Sequence, residues 1–110
     1  MSDTSYDYAI LTFADTNQSI EGISKIILLH DKLFVLLDPH LFGERNVKCY
    51  GATGGLVWTI ADPIRVHDKY ETYFVGMTIQ DKRLLVYSRD GMEYDVSFET
   101  GLFNKYLLVK

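Results

Sequence analysis

The sequence predicts an all-β or mostly-β domain: an antiparallel meander of eight to nine strands, with at most one short helix. Three observations carry that expectation. Apolar runs are short, mostly four to eight residues, and rich in Ile, Leu, Val, Phe and Tyr. Turn residues separate them at close intervals. The order of runs and turns also occurs twice along the chain.

The elements follow in order. Tyr6–Phe13 reads as a first strand and Ile23–Leu29 as a second. His30-Asp31-Lys32 forms a hairpin turn into Leu33–Leu37. Asn46–Tyr50 is a short strand, and Gly51-Ala52-Thr53-Gly54-Gly55 a wide turn into Leu56–Ile60. The second half runs Thr72–Ile79, turn, Leu84–Ser88, turn, Glu93–Phe98, turn, Leu102–Val109. Asp90-Gly91 predicts a primed hairpin turn, because Gly tolerates the positive φ such turns need. The helix candidate is 63–71, with Asp62 as cap and Pro63 in the first helical position. Residues 14–22 hold one turn at most, since they lack a sustained apolar face.

Composition bounds the rest. The chain has 110 residues, 11 Lys and Arg against 15 Asp and Glu, a net charge of −4, and 47% hydrophobic residues. That suits one domain, 1–110, with its own core. A single cysteine excludes an internal disulfide and a four-cysteine zinc site. The acidic balance argues against direct nucleic-acid binding, which needs a surplus of Lys and Arg. No apolar run approaches the roughly 20 residues of a membrane-spanning helix. The polar, acidic start Met-Ser-Asp-Thr-Ser-Tyr-Asp is unlike a secretory leader, so cytoplasmic residence is expected.

The internal repeat spans about 23–61 and 72–110. Asp31-Lys32-Leu33-Phe34-Val35 sits beside Asp81-Lys82-Arg83-Leu84-Leu85-Val86, and Thr53-Gly54-Gly55-Leu56-Val57-Trp58 beside Thr100-Gly101-Leu102-Phe103-Asn104-Lys105. Each copy resembles one blade of a β-propeller of the quinoprotein-like repeat type, in which a strand leads to Asp-Gly, a strand, Thr-Gly and a strand bearing Trp. The second copy has Lys105 where that family has Trp. The resemblance implies blade-like sheets. Two units cannot close a ring of about four or more blades. Either copies of the chain assemble into a homo-oligomer, or the units merge into a sandwich or one strongly curved sheet.

No residue pattern announces catalysis, a metal or a cofactor. His30-Asp31 and His67-Asp68 are adjacent pairs without the further ligands a metal site needs, and His30 falls in a turn. Cys49, two residues from Val47 in an alternating strand, reads as a small buried hydrophobe. No Gly-x-Ser-x-Gly elbow occurs. The Gly51–Gly55 turn does not open a helix, so it is no phosphate cradle.

Small, acidic, cysteine-poor β-domains of this kind resemble immunity proteins of bacterial toxin–immunity systems. That resemblance implies a non-enzymatic partner of a basic toxin domain such as a nuclease, bound through electrostatic steering. A self-assembling propeller-like scaffold and a small ligand-binding β-barrel are the alternatives; a deep polar pocket holding His40 or His67 would favour the barrel. The partner-binding face is placed on the two longer connections, each opened by Asp-Pro. The first, 38–45, contributes Asp38 and Glu44; the second supplies Asp62, His67, Asp68, Tyr70 and Glu71, with Tyr73 just beyond it.

Overall fold

The computed structural model describes residues 22–52, 54–64 and 71–109. The expected strand Tyr6–Phe13 lies outside them. Eight strands are present: β1 (Ile23–Leu29), β2 (Lys32–Leu37), β3 (Val47–Tyr50), β4 (Leu56–Thr59), β5 (Phe74–Gln80), β6 (Arg83–Ser88), β7 (Met92–Val96) and β8 (Phe103–Leu108). They form two antiparallel four-stranded sheets, β1-β2-β3-β4 and β5-β6-β7-β8, each a simple meander. The sheets stay separate and pack on each other, so they do not close into one barrel.

The helix lies elsewhere than expected. Helix α1 (Pro39–Phe42) sits in the first long connection, with Asp38 as its cap and Pro39 in its first turn. Pro63 and Ile64 are not helical, and 65–70 lie outside the described residues. The same Asp-Pro signal therefore starts a helix at 38–39 and none at 62–63. Four residues are too few to show a helical period in the sequence.

Turn chemistry also differs from expectation. The hairpins β1–β2 and β5–β6 close on two residues each, His30-Asp31 and Asp81-Lys82, all four with φ between 50° and 64°. These are the primed turns, made without glycine. At Asp90-Gly91 only Gly91 is left-handed (φ 93°), and its N–H donates to Ser88 O. That is the three-residue pattern, an ordinary turn followed by a left-handed glycine.

The two sheets repeat each other residue by residue. Ile23 opposes Leu37 and Phe74 opposes Ser88; one extra residue then precedes the pairs Lys25–Leu36 and Gly76–Tyr87. Cys49–Trp58 and Tyr50–Leu56 enclose the extra residue Val57, as Asp95–Lys105 and Val96–Phe103 enclose Asn104. The register aligns Trp58 with Lys105, as the sequence repeat does. It aligns Asp31 with Lys82 rather than Asp81, so the shared Asp-Lys dipeptide is offset by one position.

Alternation then decides which faces meet. In the first sheet the face carrying Phe34, Leu36, Val47, Cys49 and Trp58 enters the main core. In the second sheet Leu84, Val86, Tyr94 and Val96 enter it, and these stand at the opposite face in the repeat register. The sheets thus stack front to back. β2 is buried on both sides, because Leu33, Val35 and Leu37 form a second cluster on the back of the first sheet, with Ile23, Ile26 and Phe42 packed against it.

The front of the second sheet is built differently. Where the first sheet has Ile27, Val47, Cys49 and Trp58, the second has Thr78, Glu93, Asp95 and Lys105. Asp95 takes an ion pair from Arg83 (3.4 Å) and a hydrogen bond from Asn104 Nδ2 (3.2 Å). Leu85, on the same face, is apolar and only 2% exposed, so this face is mixed in character.

Trp58 locks the interface. Its indole Nε1–H donates to Phe98 O at 2.8 Å, its ring lies 6.0 Å from that of Phe34, and it is 6% exposed. The ring rests against Gly101, where a Cβ would come within 2.6 Å of it. Lys25 reaches across to Met77 O at 2.6 Å.

Candidate partner-binding surface

The first connection is shaped by its cap. Asp38 Oδ1 accepts the His40 N–H at 2.8 Å, and Asp38 O accepts the N–H groups of Leu41 and Phe42. Past α1, Glu44 Oε2 accepts the Thr72 N–H at 3.1 Å, and Arg45 Nε donates to Ile60 O at 2.7 Å. Glu44 and Arg45 thereby tie the first connection to both ends of the second.

Asn46 makes the joint between sheets. It is fully buried at the entrance to β3, and its Nδ2 donates to Leu37 O (2.7 Å) and Phe74 O (2.8 Å). Its Oδ1 accepts the Phe74 N–H at 2.9 Å. One side-chain amide thus replaces a strand pairing between β2 and the start of β5. The sequence reading took Asn46 only as the start of a strand. A polar residue opening an apolar run was the available signal.

The second connection is pinned at both described ends. Tyr94, 0% exposed, accepts the Ile64 N–H on its hydroxyl (2.9 Å) and donates to Ile64 O (3.4 Å). Burial raises the Tyr94 phenol above its ordinary value, and the Ile64 N–H bond opposes that rise. At the far end, Arg89 donates to Glu71 O (3.3 Å) and lies over the Tyr73 ring, 5.4 Å from its centroid. Pro63 is buried, while Asp62 and Glu71 are exposed. Of the expected contact residues, Asp38 and Glu44 are engaged in cap and cross-link. Tyr73 is half-buried under Arg89, and Asp62 and Glu71 face solvent. His67, Asp68 and Tyr70 lie outside the described residues.

Other chemistry is sparse. Cys49 is fully buried, and burial pushes its thiol up to about 11, with the Lys32 charge pulling the other way. No three His, Cys, Asp or Glu side chains among the described residues stand close enough to hold a metal. His40 is exposed on α1 and lines neither cavity described next. A cavity of about 160 Å³ between the sheet rims is lined by Leu29, His30, Lys32, Phe34, Phe98 and Glu99. A shallow polar groove of about 310 Å³ runs past Lys82, Arg83, Asp95 and Asn104. Among the described residues no helix is long and apolar enough to cross a membrane.

One exposed apolar feature escaped the sequence reading. Tyr106, Leu107, Leu108 and Val109 are 46–56% exposed, in a row along β8 and just past its end. Leu102 before it is 61% exposed. The sequence reading took this stretch as the strand Leu102–Val109 and left its exposure unread.

No curated protein and no solved structure matches the chain. A family model described as "Domain of unknown function (DUF7957)" matches residues 1–106. The chain belongs to that family.

Proposed function

We propose that the chain is a non-enzymatic protein-binding module, an immunity protein of a bacterial cytoplasm that neutralises a basic toxin domain by covering its active surface. The observation that carries this reading is the second connection. Its ends are held by Tyr94, Glu44 and Arg89, and it presents Asp62 and Glu71 to solvent. Carboxylates at the braced ends of the connection meet a cationic surface with less ordering cost than carboxylates on free ends would. The net charge of −4 adds long-range attraction toward a phosphate-binding, hence basic, enzyme.

The test is protection. This function requires a toxin domain encoded by a neighbouring gene. That domain is produced in cells with and without the chain, and a neighbourhood that encodes none overturns the reading. Survival with the intact chain, and loss of protection in Asp62→Lys/Glu71→Lys at equal protein level, supports the reading. Equal killing in the presence of the intact chain overturns it.

The front-to-back stacking favours a second reading, a scaffold of propeller-like units. Stacked blades meet in that way.

A further inference from the structure

We propose that the cavity between the β1–β2 hairpin and the β7–β8 turn binds a free apolar α-amino acid, with a side chain of leucine to phenylalanine size. The site is independent of toxin binding, since it needs no second protein.

The cavity continues the core that the two sheets share. Leu29, His30, Lys32 and Phe34 line it from the first sheet, and Phe98 and Glu99 from the second. All six are described residues. The floor is aromatic: Phe34 is fully buried, and its ring lies 5.5 Å from that of Phe98, inclined at 48°. The volume is about 160 Å³. An apolar cavity of about 150 Å³ holds one benzene molecule. Trp58 adjoins both walls, with its ring 6.0 Å from that of Phe34 and its Nε1–H bonded to Phe98 O.

The two sheets differ here in a way that leaves a charge over. In the repeat register Lys32 stands where the second sheet has Arg83, and Cys49 stands where it has Asp95. Arg83 pairs with Asp95 at 3.4 Å. Lys32 meets a neutral thiol in place of that acid. Its Nζ reaches Phe98 O at 3.5 Å, a carbonyl that already accepts the Trp58 Nε1–H at 2.8 Å. That long contact engages one of the ammonium's donors and leaves the others for a ligand. On the second sheet Glu99 is exposed, and its Oε1 accepts the Ser97 O–H at 3.3 Å. Neither Lys32 nor Glu99 is in an ion pair among the described residues.

An apolar floor flanked by a cation and an anion that do not pair suits a zwitterion with an apolar body. The carboxylate goes to Lys32, the ammonium to Glu99, and the side chain onto Phe34 and Phe98, which favour a flat ring. Apolar walls with a few placed polar groups are the usual make-up of a small-molecule site. A residue inside a peptide chain carries neither backbone charge, so a partner's side chain would leave Lys32 and Glu99 unmet.

The experiment is a titration of the full chain with L-phenylalanine, read by amide NMR and by the emission of Trp58, the only tryptophan. A ligand of this size is expected to bind at about 1 mM. The shifts should centre on the amides of His30, Lys32, Phe98 and Glu99. Phenylpropionate, phenethylamine and serine each lack one of the three features, and each should bind about fivefold more weakly or worse. Lys32→Gln should weaken phenylalanine about fivefold and leave phenethylamine unchanged. Glu99→Gln should weaken phenylalanine to a similar extent and leave phenylpropionate unchanged. The ligand comparisons on the unaltered chain need no variant to fold. No shift at those four amides at about 10 mM phenylalanine overturns the proposal. So does equal binding of serine, or of N-acetylphenylalanine amide, which is uncharged and stands for a residue of a partner chain.

Discussion

Gly101→Ala isolates the contact that joins the two sheets. Gly101 has φ 75°, where an L residue costs about 1–2 kcal/mol. A Cβ there would lie 2.6 Å from Trp58 Cε3 and 2.7 Å from Cδ2, so the indole must move. Moving it breaks the 2.8 Å bond from Nε1 to Phe98 O, worth about 1 kcal/mol. Overpacking adds about 1–3 kcal/mol. The total is about 4 kcal/mol, a large share of the roughly 5–15 kcal/mol by which a domain of this kind is stable. Trp58→Leu removes the ring that the new Cβ meets, so in that background Gly101→Ala keeps only the backbone term, about 1.5 kcal/mol. A double-mutant cycle by urea unfolding, followed by far-UV circular dichroism, should give a coupling of about 2.5 kcal/mol. Emission from the only tryptophan should shift red in folded Gly101→Ala. Additive costs, with a coupling near zero, would show that Trp58 does not rest on Gly101 and would break this account of the interface.

Three further outcomes follow from single groups. Asn46→Ala strips partners from Leu37 O and from Phe74 N and O, and should cost about 3 kcal/mol or more in urea unfolding. Thr72→Val should leave stability unchanged or raise it by about 1 kcal/mol, because Thr72 Oγ1 is buried without a hydrogen-bond partner among the described residues. For Cys49 the folded thiol holds its proton up to about 11, against 9.0 ordinarily, so the unfolded chain releases it first. Stability contributed by the neutral thiol is present below pH 9 and is lost as pH climbs toward 11. The wild-type decline over that window should therefore be steeper than that of Cys49→Ala.

Much of this fold was legible where alternation is strict. Cys49 and Trp58 fall on the apolar side of their strands and are buried there. The paired order of turns pointed to two matching units and left a sandwich and one strongly curved sheet both open; the structure has two sheets. Turn type was harder to read, because His30-Asp31 and Asp81-Lys82 adopt positive φ without glycine, under the demand of the flanking strands. α1 escaped because one helical turn has no period to see. The stacking direction is written in the repeat itself, since Val47, Cys49 and Trp58 become Glu93, Asp95 and Lys105, but it is readable only once the register is known. At the surface, the acidic second connection could be named from its residues. Its bracing could not, because Tyr94, Arg89 and Glu44 lie far from it in sequence. β8 was legible as a strand, but its exposure was not, since an exposed apolar edge and a buried strand share one pattern.

The most direct test of the proposed function is the rate at which the chain associates with a purified basic toxin domain from a neighbouring gene, a partner that the proposal requires. That rate is measured by stopped flow at low and high salt. Steering by Asp62 and Glu71 predicts that Asp62→Lys/Glu71→Lys slows association at least tenfold at about 0.01 M salt, where charges act over roughly 30 Å. It also predicts that the gap nearly closes at about 1 M, where they act over roughly 3 Å. An association rate that neither the substitutions nor the salt changes would contradict it.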